Sequence, residues 1–222
     1  MATDTGFGKV KIFDDFIGVA IDVTNNWNGV GTSDTIAISA QNNGAVRLTT
    51  HTDDNDGSRL ASMCVFNPSH GQVIMEARVT QVTDSEGRGF FIGFTDDATT
   101  EETPISLSGT TFTTTASNAV GFVFDTDATT DVIYGKGVKT DTDSETVTTT
   151  KVIAPAGTWQ TFRVTIDPAG NAVFSINGEE VGRLNNAVTP NTDLCATVMI
   201  KNSDAAAASM DVDYIYAEGG RE

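Results

Sequence analysis

The feature that most constrains the fold is an alternation of apolar and polar side chains, residue by residue, between Phe162 and Leu184. Phe162, Val164 and Ile166 alternate with Arg163, Thr165 and Asp167, and Ala172, Phe174 and Ile176 alternate with Val173, Ser175 and Asn177. A period of two sends successive side chains to opposite faces of an extended chain, whereas a helix needs apolar residues three and four apart. Asp167-Pro168-Ala169-Gly170-Asn171 separates the two segments. Asn177-Gly178 then supplies the dipeptide that tolerates the positive φ angles of a two-residue hairpin. Together these signals predict a three-strand meander that ends in Glu179-Glu180-Val181-Gly182-Arg183-Leu184.

Similar short runs, bounded by Gly, Pro, Asn or Asp, predict strands at Lys9 to Phe13, Gly44 to Thr50, Ser58 to Phe66, Gln72 to Val79, Gly89 to Thr95, Ala119 to Phe124, Val132 to Tyr134, Leu194 to Lys201 and Met210 to Ala217. Gly135-Lys136-Gly137 lacks the strand-to-helix context of a phosphate loop and is read as a hairpin turn. The best helical composition, Ser203 to Ser209, is too brief for a stable helix and is read as a turn. Asp96 to Ala116 and Thr140 to Lys151 are Thr-rich and acidic, and read as long loops or edge strands with a functional or interface role. Short strands, no convincing helix and no fixed repeat predict an all-β, antiparallel sandwich or barrel. No linker interrupts the 222 residues, which read as one domain. Area scaling for this mass buries about 70% of the chain's surface, enough for a core without metals or staples.

Hydrophobic residues at 39% and charged residues at 19% exclude a disordered chain. A formal net charge of -17 repels phosphate backbones and anionic lipid, so neither direct nucleic-acid binding nor membrane binding is expected. The opening Met1-Ala2-Thr3-Asp4-Thr5-Gly6 has no basic stretch followed by an apolar one, and no apolar run approaches the ~18 residues of a span. The expectation is a chain cytosolic at synthesis and not membrane-spanning. Cys64 and Cys195 sit in apolar surroundings and read as reduced core thiols, with a disulfide between paired strands as the alternative.

Gly157-Thr158-Trp159-Gln160-Thr161-Phe162, with the hairpin through Asn177-Gly178, resembles the signature hairpin of the concanavalin A-like, laminin-G-like jelly rolls, in which a Gly-x-Trp opens a strand. Met210-Asp211-Val212-Asp213-Tyr214-Ile215-Tyr216 is similar to the last strand of that family, which lies beside the first, here near Phe13-Asp14-Asp15-Phe16. The resemblance implies a jelly-roll sandwich over nearly the whole chain. A narrower one rests on Asp4 to Phe16, Gln72 to Val79 and Phe91-Ile92-Gly93-Phe94-Thr95-Asp96, which look like a group of tailed-bacteriophage structural proteins. It implies a virion component.

The same superfold houses glucanases, whose retaining members need two carboxylates at alternate positions of one strand. The equivalent-looking strand offers Glu76, Arg78 and Thr80 on one face, a single carboxylate, so that site is expected to be absent and Glu76 to be paired. Asp211 and Asp213 share a face on a strand that the resemblance makes structural. His51 and His70 are the only histidines, no Gly-x-Ser-x-Gly elbow occurs, and a hydrolase triad is not expected. Asp53-Asp54-Asn55-Asp56-Gly57 has the look of a calcium loop, but EF-hand spacing would put Thr52 and Met63 where an acid is required, so a polar turn is read there, with a non-helical calcium site of the kind some laminin-G-like domains have as the alternative. Carbohydrate recognition needs exposed rings; Trp27 has a loop context suited to it but is read first as a loop anchor, while Trp159 is expected to pack at a strand start.

These readings lead to the expectation of a non-enzymatic phage virion protein, a capsid decoration or cement protein on the outer shell, with no catalytic residues, cofactor or metal. Its expected partners are the major capsid protein or other virion proteins, in a homo-oligomer taken to be a trimer. A lectin-like module binding a glycan is the alternative, followed by a glycoside hydrolase.

Overall fold

A computed structural model describes residues 8–23, 25–31, 34–39, 41, 44–82 and 87–221. The part of the phage-like motif from Asp4 to Phe7, and Thr24 beside Trp27, lie outside the described residues.

The described chain builds two large antiparallel sheets. Sheet A runs in the order β15 (Glu179–Leu184), β14 (Ala172–Ile176), β13 (Gln160–Ile166), β6 (Val73–Gln81), β17 (Ser209–Gly220), β4 (Val46–Thr49) and β3 (Thr35–Ile38), with β1 (Lys9–Asp14) paired to the second half of β17. Sheet B runs in the order β12 (Thr142–Thr148), β11 (Tyr134–Lys139), β10 (Asn118–Asp125), β7 (Arg88–Thr95), β16 (Cys195–Asn202), β5 (Gly57–Ser62) and β2 (Trp27–Val30). A separate hairpin joins β8 (Ile105–Ser108) to β9 (Thr111–Thr114). No helix among the described residues is long and apolar enough to cross a membrane.

The alternation read from the sequence decides which side chains meet between the sheets. Phe162 and Phe174 from sheet A contact Phe122 at ring-centroid separations of 5.1 and 5.3 Å, and Phe162 meets Phe90 at 5.5 Å. Phe90, Ile92 and Phe94 of β7 and Val120, Phe122 and Phe124 of β10 are buried there against Met75, Ala77 and Val79 of β6. The predicted meander is present, with Ile176 paired to Glu179 across Asn177-Gly178, whose φ angles are 52° and 80°. The Ser203 to Ser209 segment is a turn up to Ala208, as its length requires. The last strand lies beside the first, Lys9 facing Gly220 and Phe13 facing Tyr216.

Two expectations are corrected. The strand placed at Val132 to Tyr134 is β11, beginning at Tyr134, and Gly135-Lys136-Gly137 lies inside it rather than in a turn. These glycines answer to packing: a Cβ on Gly137 would stand 2.3 Å from the Ala187 carbonyl oxygen, and one on Gly135 3.0 Å from the Phe174 ring. The Thr-rich stretch from Asp96 to Ala116, read as long loop or edge strand, carries both loop and strand: it folds back as the β8–β9 hairpin over sheet B.

Candidate functional site

The two sheets present very different outer faces. On sheet B, Phe91, Ala119, Val123, Val138 and Met199 point away from the main core into a second apolar cluster. Ile105 and Leu107 of β8, with Phe112 of β9, close over them. The few polar groups on this face are locked. Asp125 pairs with Lys201 at 3.1 Å, both nearly inaccessible, and Ser203 Oγ donates to Asp125 at 2.8 Å. Lys136 Nζ donates to the Ser144 carbonyl and lies 4.9 Å from the Phe112 ring centroid. The groove that an open sheet would offer there is filled by the hairpin.

Sheet A keeps its outer face open. From β1, Lys9, Lys11 and Phe13 rise beside Glu218 and Tyr216 of β17. A bulge between Val212 and Tyr214 inserts Asp213 and shifts the phase of β17. Ile215 and Ala217 therefore enter the core, and Tyr214, Tyr216 and Glu218 share the outer face with Ile74, Glu76 and Arg78 of β6. Phe13 is 62% exposed, and its ring lies 6.2 Å from that of Tyr214. On the other side of β6 the Arg78 guanidinium sits 4.8 Å over the half-buried Trp159 ring. The rings thus form a broken diagonal across β1, β17, β6 and the start of β13.

Between the rings the charged groups are paired. Arg47 clamps the buried Asp211 carboxylate with Nε at 2.7 Å and Nη2 at 2.9 Å, and Gln41 Nε2 adds a third bond at 3.0 Å. Arg78 bonds Asp213, and Arg163 reaches Glu76 at 3.4 Å. Lys9 and Lys11 both approach Glu218, at 3.0 and 3.2 Å. Tyr216 donates to Glu218 at 2.6 Å, and this bond, with the two lysines, pulls the Glu218 carboxyl down to about 2 despite its partial burial. Desolvation and the bond to Glu218 push the Tyr216 phenol up to about 12. Tyr214, donating to Glu76 at 2.8 Å, is likewise raised to about 12 by desolvation first and that bond second.

Glu76 is paired as expected, with Arg163 and Tyr214 of the neighbouring strands. Trp27 is not an exposed sugar platform: it is 3% exposed, packs on Phe16, and its Nε1 donates to Asp14 at 2.8 Å. Asp56 accepts the His51 amide at 2.6 Å, and His51 Nδ1 lies 3.4 Å from Asp53, within one polar turn. His70 ends a short 3₁₀ turn far along the chain from it. Among the described residues, no group of three or more His, Cys, Asp or Glu side chains is arranged to hold a metal ion. Cys64 and Cys195 are free thiols.

No family model matches the chain, and no curated protein matches it in sequence. Solved structures do. A protein of unknown function from Shewanella oneidensis MR-1 superposes with a TM-score of 0.66 at 15% identity, covering 96% of this chain and 87% of that one. The carbohydrate recognition domain of Emp47p gives a TM-score of 0.65 at 13% identity, with 95% of each chain covered. The Bacillus licheniformis β-glucanase gives 0.63 at 10% identity, covering 93% of this chain and 97% of that one. The fold is therefore the concanavalin A-like jelly roll of lectins and glucanases, as the hairpin motif implied. None of these likenesses carries a phage context.

The glucanase overturns the expectation that the chain is not an enzyme, because this architecture is one in which catalysis occurs. That expectation rested on the lack of a hydrolase elbow, on the likeness to phage structural proteins and on counting carboxylates along one strand. Strand pairing gathers them from two, with Glu76 of β6 opposite Tyr216 and the bulge of β17 turning Glu218 to the face that Asp213 already shares.

Proposed function

We propose that this chain is a carbohydrate-recognising sandwich that takes a glycan along the outer face of sheet A. The observation that carries the reading is the ring diagonal of Phe13, Tyr214, Tyr216 and Trp159, set among paired charges on an otherwise acidic molecule. Sugar rings offer an apolar C–H face and a rim of hydroxyls. Aromatic faces take the first, and the forked donors and acceptors of Arg78, Arg163, Glu76 and Glu218 suit the second. Because the cations here are matched by carboxylates, the face does not carry the net repulsion of the whole chain. A neutral polysaccharide can approach it, and a polyanion gains little. The lectin domain and the glucanase with this fold lend the reading general support.

The test is a glycan array followed by calorimetry, with the Phe13→Ala, Tyr216→Ala double variant alongside. Saturable binding that weakens at least tenfold in the variant, with its circular dichroism unchanged, is the expected result. No binding to any glycan, or binding indifferent to both rings, overturns the proposal. New reducing ends appearing in a bound polysaccharide would move the reading from recognition to cleavage.

A second reading, a capsid decoration (cement) protein on the outer shell of a tailed phage, is favoured by a different observation. Ile17, Val19 and Val23 are exposed in the loop leading into β2, and Met63 and Val65 in the loop leaving β5, two loops that adjoin where Trp27 pairs with Ser62. Exposed apolar residues on two adjoining loops suit a protein contact, such as the major capsid protein or two further copies around a three-fold axis. Labelled protein that binds depleted capsids and restores their heat stability supports this reading; full retention of that effect in Val19→Asp, Met63→Asp removes its basis.

A further inference from the structure

We propose that Cys64 is a thiol-exchange site, reacting with small disulfides such as oxidised glutathione and passing the bond to Cys195 to close an intramolecular disulfide. The backbone holds the two cysteines together. The Leu194 carbonyl accepts the N–H groups of Val65 at 3.1 Å and Phe66 at 3.0 Å, and the Leu194 N–H donates to the Phe66 carbonyl at 2.9 Å. The residues flanking both thiols are thus clamped to each other across 128 and 129 positions of sequence. The sulfurs converge on one turn: Cys195 Sγ lies 3.1 Å from the Thr95 carbonyl oxygen and 3.6 Å from that of Asp97, and Cys64 Sγ lies 3.9 Å from that of Asp96.

The pair is asymmetric in the way exchange requires. Cys195 is buried at the start of β16, whereas Cys64 is half-exposed and lines an open pocket of about 420 Å³ with Val10, Val65, His70, Asp193 and Arg221. A hydrogen bond from the Cys195 thiol holds Cys64 below the ordinary thiol range, outweighing its burial and the nearby Asp96, Asp97 and Asp193. The same bond, with burial, pushes Cys195 up. The fully buried Arg59 guanidinium donates at 2.9 Å to the Asp97 carbonyl, the same oxygen that Cys195 Sγ approaches at 3.6 Å.

Exchange then proceeds in two balanced steps. The Cys64 thiolate attacks one sulfur of oxidised glutathione; the glutathione S–S bond breaks, and one glutathione leaves as thiolate and takes a proton from water. The Cys195 sulfur attacks Cys64 Sγ, the Cys64–glutathione S–S bond breaks, and the second glutathione leaves with the proton that Cys195 gives up. Two protein thiols are oxidised and one disulfide is reduced to two thiols.

The full chain is incubated with oxidised glutathione and followed by intact-mass spectrometry and peptide mapping. Expected are a mass loss of two hydrogens, disappearance of both titratable thiols, and a Cys64–Cys195 crosslinked peptide that dithiothreitol reverses. Cys195→Ser is expected to stop at one glutathione adduct on Cys64, and Cys64→Ser to remain unmodified while folded. Retention of both thiols in the wild type, or a wild type that accumulates the adduct without the crosslink, overturns the proposal whatever the variants do.

Discussion

The outer faces of the two sheets start from the same alternation and end as opposites. On sheet B the outward positions are Phe91, Val123 and Met199, roofed by a hairpin. On sheet A they are Phe13, Tyr216, Glu76 and Arg163, open to solvent. The lesson is that period two fixes only which residues share a face; whether that face is a second core or a binding surface depends on what the connecting loops lay across it. In this chain one Thr-rich insertion between β7 and β10 makes the difference.

Paired substitutions break or sharpen this contrast. Phe91→Ala, beneath the hairpin, is expected to cost about 4 kcal/mol in urea unfolding because it removes a fully buried ring and leaves a cavity. Phe13→Ala on the open face should cost no more than about 0.5 kcal/mol. Equal losses at the two sites would show the faces to be equivalent. Arg47→Ala is next in size, about 3 kcal/mol, since it strips the buried Asp211 carboxylate of its bidentate partner and leaves only Gln41. Arg47→Ala, Asp211→Ala together should recover part of the loss, and a double variant no better than Arg47→Ala alone would argue against burial of the charge as the cause.

A smaller effect concerns pH. Glu218 is depressed to about 2, so its contribution is whole above the ordinary value of 4.5 and fades as pH falls through about 2. Tyr216 is raised to about 12, so its contribution is whole below 10 and fades as pH rises through about 12. The bond between them should leave stability level from about pH 5 to about pH 10 and weaken it on both sides. Tyr216→Phe should shrink the alkaline arm to the part that Tyr214 supplies and raise the Glu218 carboxyl, read by NMR titration; an unmoved Glu218 would mean that the lysines alone hold it.

Much of the fold was legible in the sequence. The meander from Gln160 to Leu184 appears where alternation and Asn177-Gly178 put it, and the strands around Val120, Met75 and Val198 match to within a few residues. What escaped were four-residue strands such as β2, β3, β8 and β9, too short to show a period, and β11, whose glycines mimic a turn because neighbours press on its backbone. The candidate site was less legible. Phe13 and Tyr216 are cross-strand partners 203 positions apart, and nothing local to either residue encodes that register. The bulge at Asp213 was invisible too, and without it Tyr214 and Tyr216 would face the core. Trp27, the ring that looked most available, is consumed by Phe16 and Asp14.

The pairing of β1 with the end of β17 has a practical corollary. Since Lys9 and Gly220 are direct cross-strand partners, the polypeptide enters and leaves the sandwich at one corner, about 5 Å apart. The unit can therefore be grafted into a surface loop of a host protein without prying that loop open. Joined there by a few residues, it can also be reopened elsewhere, for instance between β8 and β9, as a circular permutant.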